Sequence, residues 1–296
     1  MAFRTIAILS PGLMGSGIGR FLARNGYDVI TNLSGRSDFT RTRALEFGFE
    51  DVGSIEGVAE RADLVMSVLD PARAVEIAEQ VAGAMKPLNR KLVFADCNAT
   101  SPATAEKLRG IIERAGGIFI DVGIIGGVPT RKENFPMLCT SGSDAALLDE
   151  LDGKGVTILN VGPRIGQGSA IKICNGAWNK GAFALYTAIM LAAEKYGFTQ
   201  ILRDRLPGSQ AGTVEKIDEA ITRLPSLSGR YIGEMEQVAE TFAAIGLPSG
   251  FHEASAELFR LLNSTSLAAE RREQIPESRT PLDTLKALVA ELEKGR

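Results

Sequence analysis

Residues 5–33 read "TIAILSPGLMGSGIGRFLARNGYDVITNL", and the fold turns on them. "TIAILS" (5–10) is short and apolar, as a strand covered on both faces must be. "GSGIGRFLARNG" (15–26) has helical character, and "DVITNL" (28–33) is a second strand. Glycines 12, 15, 17 and 19 lie at the join of the first strand and the helix. Glycine there permits a tight turn and lets a ligand approach the backbone, while the helix N-terminus attracts an anion. Set against the dinucleotide pattern G-x-G-x-x-G, the chain reads Ser10-Pro11-Gly12-Leu13-Met14-Gly15, with serine at the first glycine.

The alternation continues through "ADLVMSVL" (62–69), "KLVFADC" (91–97), "IFIDVGII" (118–125), "PMLCTSG" (136–142) and "VTILNVG" (156–162). Helical segments such as "PARAVEIAEQVAGAMK" and "PATAEKLRGIIERAG" separate them. This order predicts an α/β domain, a doubly wound parallel sheet of the Rossmann type with helices on both faces, over residues 1–165. From Gly168 onward strand signals stop, and "EMEQVAETFAAIG" and "HEASAELFRLLN" carry helical periodicity. The expectation for 166–296 is an all-helical domain for substrate binding and dimerisation, opened by a long interdomain helix.

The 296 residues carry a formal charge of −3, with 45% apolar and 23% charged residues. No basic surface for nucleic acid is implied. No apolar run is long enough for a membrane span, and "FRTIAILS" is too short for a signal peptide. Cys97, Cys139 and Cys174 lack metal-ligand spacing, and His252 is the only histidine, so no metal site is expected. Free thiols suit a reducing cytoplasm, the expected location. Cys174 and Trp178 are expected in the core, and His252 at a helix start in a capping or surface role.

The end of the second strand selects the cofactor. An acid about 20 residues after the first glycine would hold the ribose hydroxyls of NAD. Here the stretch is "TNLSGRSDFTRTR", in which Asp28 lies too early and Asp38 well into the loop. Ser34, Arg36 and Ser37 supply two hydroxyls and a guanidinium, a set suited to a 2′-phosphate. NADP is the expected cofactor, with NAD possible.

From Ser169 to Phe198 the only charged residues are Lys172, Lys180, Glu194 and Lys195. A helix apolar almost all round belongs to a core, where lysine is rare. Lys172, Asn175 and Asn179 stand at i, i+3 and i+7 and form one narrow polar stripe. Such a helix, about 30 residues or ~45 Å long, is more than the chain after residue 200 can cover, which predicts a homodimer or a higher homo-oligomer.

In this order the features resemble the β-hydroxyacid dehydrogenases, the family of 3-hydroxyisobutyrate, tartronate semialdehyde and 6-phosphogluconate dehydrogenases. The likeness spans roughly residues 5 to 200. It rests on the glycine turn, on "ADCNATSPATAEKL" (95–108) for D-x-S-T-x-x-P, on "FIDVGIIGGVPT" (119–130) for D-A-P-V-S-G-G, and on "GPRIGQGSAIKICNG" (162–176) for G-x-x-G-x-G-x-x-x-K-x-x-N-N. The resemblance implies that Lys172 is the general acid/base and Asn175 its catalytic partner. It implies a cofactor held by Ser10, Gly12, Leu13, Met14, Gly15, Leu69 and Asn98. It implies a small substrate, a hydroxy or keto compound, held by Ile125, Gly126, Gly127 and Asn179, with Arg230 reaching an anion. Gly168 and Gly176 would let the helix approach the cofactor domain. Ile125 replaces the family's serine, Gly176 its second asparagine, and Gly233 with Glu234 its later Lys-Asp pair. The part after residue 200 looks like the C-terminal domain of a subgroup whose substrates are unassigned.

Two other readings stay open. An imine reductase shares this architecture but normally lacks the lysine, so Lys172 counts against it. A cofactor-binding regulatory protein without turnover is kept alive by Ser10, Ile125 and Gly176. The cofactor reading is testable at Arg36. A charge-assisted contact contributes about 1.5–3 kcal/mol, so Arg36→Ala should weaken NADPH roughly 10- to 150-fold and leave NADH almost unmoved. Equal losses for both cofactors, measured by fluorescence titration, would show that Arg36 does not read the phosphate.

Overall fold

The computed structural model describes residues 2–88, 90–130, 134–205, 211–270 and 275–294. The chain divides into two compact units, Met1–Ile173 and Cys174–Arg296. The division falls inside a helix, whereas the sequence pattern changes at about residue 165.

In the first unit strands and helices alternate: β1 (Thr5–Leu9), α1 (Leu13–Arg24), β2 (Asp28–Thr31), α2 (Asp38–Glu46), β3 (Glu50–Asp51), α3 (Ile55–Arg61), β4 (Leu64–Ser67), α4 (Ala74–Met85), β5 (Val93–Asp96), α5 (Pro102–Arg114) and β6 (Ile118–Ile125). β7 (Met137–Ser141), β8 (Thr157–Gly162) and α6 (Gln167–Gly176) follow. The sheet order is β3-β2-β1-β4-β5-β6-β7-β8, whose first six strands have the doubly wound dinucleotide-binding order. The all-parallel expectation fails at one pair: β7 runs antiparallel to β6, with Ile125 opposite Met137, while β8 is parallel to β7. Eleven residues separate β6 from β7, too few for a helical crossover, so the chain can only return antiparallel. Asp38, read from sequence as a loop residue, opens α2, and Ser37 is its N-cap, accepting from the Thr40 N–H at 3.4 Å.

β1 shows why the strands carry no polar alternation. Ile6 and Ile8 join the core on one face with Ile18 and Leu22 of α1, while Ala7 and Leu9 join the other with Ile77 and Val81 of α4. Both faces are covered, so both must be apolar. α1 lies close on its neighbours because of glycine: a Cβ on Gly19 would sit 2.3 Å from Cζ of Phe49.

In the second unit α6 passes through a π turn, Ala177–Gly181, into α7 (Ala182–Lys195). α8 (Thr199–Arg205), α9 (Ala211–Ile221), α10 (Leu224–Ala244), α11 (Gly250–Asn263) and α12 (Pro281–Lys294) complete it. α10 and α11 pack together through Tyr231 and Phe259, whose rings meet edge-on at 5.4 Å. Two residues expected inside lie outside in the single chain: Trp178 is 80% exposed and Cys174 is exposed. That expectation rested on the apolar character of the helix, which does not say what covers each of its faces.

Ser10 is the only non-glycine among the described residues with positive φ, at 60°. It takes the backbone shape that glycine at this place of the pattern would take without strain. Ser10→Gly should therefore be more stable than Ser10→Ala by about 1 kcal/mol in urea unfolding. An alanine variant at least as stable as the glycine variant would remove the strain argument.

Candidate functional site

The turn after β1 is built to leave donors open. The Gly12 N–H donates to the Ser10 carbonyl at 2.6 Å, closing the turn. Gly12 caps α1 with no side-chain bond, and no acid lies in the first turn. The N–H groups of Leu13, Met14 and Gly15 thus begin a helix with its positive end uncompensated. A Cβ on Gly15 would lie 3.0 Å from Cγ2 of Ile8 and 3.4 Å from Cβ of Val68. The turn sits at the C-terminal ends of β1 and β4, paired through Leu9 and Ser67, where strand order reverses. In such sheets this is the ligand crevice.

Beyond β2, Ser34 is spent on structure: its N–H donates to Asn32 Oδ1 at 3.0 Å and its hydroxyl to the Gly53 carbonyl at 2.7 Å. Asp51, the nearby acid, is spent too, accepting from the N–H groups of Leu33 and Gly53, each at 3.0 Å. It therefore has less to offer a ribose. Arg36 differs, because its Nε is buried without a hydrogen-bond partner. Burial and the nearby Arg73 guanidinium lower its pKa, against the opposing pull of Glu76. Arg73 is itself paired with Glu76, at 3.1 Å, so the unpartnered Nε of Arg36 is the group left to meet an anion.

Asn98 turns inward. Its Oδ1 accepts from the Leu69 N–H at 2.6 Å, and its Nδ2 donates to Ser67 Oγ at 2.9 Å and to Asp96 Oδ1 at 2.5 Å. At 3% exposed it offers a ligand no side-chain atom; it holds the Val68–Leu69 peptide after β4. Asp96 also accepts from the Thr100 hydroxyl at 3.1 Å. Burial pushes its carboxyl up to about 7, opposed by these hydrogen bonds. Sequence reading missed this network, because Asp96 was visible only as part of a motif.

β6 carries the other half of the unit's chemistry. Asp121 is fully buried, and its Oδ2 accepts from the N–H groups of Gly166 and Ser169, both at 3.0 Å, and from Ser141 Oγ at 2.8 Å. Its Oδ1 accepts from Ser169 Oγ at 2.5 Å, while Ser141 Oγ accepts the Gly168 N–H at 3.0 Å. The carboxylate thus closes the N-terminus of α6, the helix of Lys172, where a negative charge is favoured. Two glycines bring that helix down on the sheet. A Cβ on Gly123 would stand 2.1 Å from the Gly168 carbonyl oxygen and 3.0 Å from Cβ of Lys172; one on Gly168 would stand 2.5 Å from the Cys139 carbonyl oxygen. Lys172 is half-buried above β6. Farther along β6, Ile125 is partly buried, and Gly126 has φ +112°, a shape that only glycine takes without strain. Gly127 has no neighbour within 4 Å of a built Cβ.

In the helical unit Asn179 Nδ2 donates to the Asn175 carbonyl at 2.9 Å and to its Oδ1 at 3.2 Å, so the two asparagines of the stripe are joined. Gly176 faces Val238 of α10, 3.8 Å from a built Cβ. Arg230 pairs with Glu234 at 3.4 Å, and Glu234 also takes Lys180 of the π turn. Lys180 was legible as a charge on an apolar helix, but not its partner. His252 departs from its expected role: its ring meets Phe242 at 4.4 Å and its Nδ1 is buried without a hydrogen-bond partner. It lines an apolar groove of about 710 Å³ with Gly181, Leu185, Phe251 and Leu258. Among the described residues no group of three or more His, Cys, Asp or Glu could hold a metal, and no helix is long and apolar enough to cross a membrane.

Comparison with known proteins agrees with this geometry. Residues 5–152 match the family described as the NAD binding domain of 6-phosphogluconate dehydrogenase, and residues 193–262 match a domain of unknown function, DUF1932. The chain is 27% identical over 201 residues to an uncharacterized 28.5 kDa protein of Methanothermus fervidus, covering 68% of this chain and 75% of that protein. It is 28% identical over 177 residues to human mitochondrial 3-hydroxyisobutyrate dehydrogenase, covering 57% of this chain and 51% of that protein. It therefore spans about half the length of that enzyme. The crystal structure of a conserved hypothetical protein from Sinorhizobium meliloti 1021 superposes with a TM-score of 0.73 at 24% identity, covering 98% of this chain and 97% of that one, which shows a shared fold. With an open-amide turn at the switch point and half of its length matched, the chain belongs to the family described as the NAD binding domain of 6-phosphogluconate dehydrogenase.

Proposed function

We propose that this protein is an NADP-dependent oxidoreductase that interconverts a small hydroxy compound, a hydroxy acid by preference, and its carbonyl form, with Lys172 as general acid/base. The observation that carries the reading is the seat of Lys172, on a helix whose start is closed by Asp121 and whose backbone meets β6 through Gly123 and Gly168. A side chain that merely filled space would not need so constrained a base.

The residues fit a dinucleotide. The amides of Leu13, Met14 and Gly15 would hold the pyrophosphate at the start of α1, where a side chain on Gly15 would press on Ile8. Arg36, with its unpartnered Nε, supports a 2′-phosphate, hence NADP over NAD. The Asn98 side chain would act through the Leu69 peptide it holds. When bound, the cofactor supplies or accepts the hydride. Lys172 would donate a proton to the oxygen that gains negative charge in reduction, and remove it in oxidation. Asn175, fixed through Asn179, would orient that oxygen. Ile125 in place of a hydroxyl removes a hydrogen-bonding group from the substrate segment, which favours a substrate other than a simple 3-hydroxy acid.

Lys172→Met keeps most of the stem's volume, so a packing role predicts a loss under about 1.5 kcal/mol of stability and near-normal turnover. The proton-transfer role predicts a fall of roughly 10²–10⁴ in kcat with NADPH affinity unchanged. Near-normal kcat in the methionine variant would sink the mechanism.

The proposed active unit is a homodimer formed through the helical unit. Leu185 and Phe251, the latter 81% exposed, line the apolar groove, and Trp178 follows Ala177 at its edge. A contiguous apolar face of this kind marks an interface, and a two-fold contact would let each copy cover the other's. Light scattering at micromolar concentration should give a dimer, and Leu185→Glu with Phe251→Glu a monomer. A monomeric wild-type protein would refute the arrangement.

A further inference from the structure

The helical unit holds a charge cluster that the reading above leaves unused. Lys180 lies on the π turn with its side chain only 14% exposed, ion-paired to Glu234 of α10. Arg230, one turn earlier on α10, reaches the other carboxylate oxygen of Glu234 at 3.4 Å, and its side chain is 67% exposed. Both cations also lie over the ring of Tyr231, at 5.4 Å for Lys180 and 5.2 Å for Arg230. Tyr231 is buried and fixed by its edge-on contact with Phe259. Two cations from two elements therefore share one carboxylate and one aromatic ring.

The count is two positive charges against one negative. The carboxylate is taken up by the largely buried Lys180, while Arg230 meets it only at 3.4 Å and stays 67% exposed, so one positive charge is left over. A second anion would complete the set. Arg230 is suited to receive it, since its planar guanidinium stays exposed and can take an oxyanion in bidentate fashion. The π turn supports the same view, because single π turns within α-helices occur often at functional sites. Here the turn carries both Asn179, bonded to Asn175, and Lys180.

We infer that Lys180 and Arg230, held by Glu234 and Tyr231, form a two-cation seat for an oxyanion, the carboxylate or phosphate group of the small molecule on which the protein acts. The identity of the ligand rests on the oxidoreductase reading; the binding itself needs no turnover. Glu234 is then a positioning residue that competes with the ligand while it aligns both cations.

The test uses the full chain saturated with NADPH, so that added anions do not report on the cofactor site. Inorganic phosphate and acetate are titrated separately by calorimetry, and the tighter of the two assigns the anionic group. Lys180→Met and Arg230→Met should each weaken that anion about tenfold or more. Lys180→Arg should bind within a few-fold of wild type, and Glu234→Gln should bind more tightly than wild type. A cluster that serves only to join α10 to the π turn predicts lower stability in all of these variants and unchanged anion affinity. No saturable binding to the wild type, or equal affinity in the methionine variants, Glu234→Gln and wild type, overturns the proposal. NADPH binding is followed by its own fluorescence, so a failure of the cofactor reading shows there and not in the anion titration.

Discussion

The carboxylate of Asp121 is the contact on which the first unit's chemistry depends. It lies fully buried at the end of a helix and accepts four hydrogen bonds, two from backbone amides of the chain that enters α6 and two from serine hydroxyls. A buried carboxylate is tolerated only when its oxygens are satisfied, and a helix start only when its amides are. Each solves the other's problem. Removal of either partner would leave charge or amide unpaired, so the start of α6 is tied to β6 and β7, and Lys172 is tied with it.

Glycine sets the distances around that contact. Gly123 and Gly168 remove the two side chains that would keep α6 off the sheet, and Gly19 lets α1 lie close on Phe49. Where the family pattern would have glycine at position 10 the chain has serine, and the backbone keeps the left-handed shape nonetheless. The turn's geometry is thus retained with some strain, which surrounding contacts must hold in place.

The departures from the family pattern fall into two kinds. Ser10 preserves the backbone while changing the side chain. Ile125 and Gly233 instead stand where the resemblance would put polar groups, a hydroxyl and an ammonium. In the helical unit Lys180 supplies an ammonium from another element and pairs it with Glu234.

Much of this was legible in the amino-acid order alone. Strands covered on both faces must be apolar throughout, helices repeat near every fourth residue, and a tight turn needs glycine; each is a local rule that neighbouring residues state by themselves. These rules gave β1, α1 and the glycine turn, and the isolation of Lys172 on an apolar helix. Only the tertiary structure decided the rest. The antiparallel β7 follows from a connection too short for a crossover. Asn98 turns inward because Leu69 and Ser67 lie on the neighbouring strand's end, and Asp121 closes a helix start by accepting from the Gly166 amide, 45 residues later. Lys180 finds Glu234 on another helix, and Trp178 faces outward across a π turn that no residue pattern announced. Such pairings join residues far apart in the chain, and local periodicity holds no information about which distant group a side chain will meet.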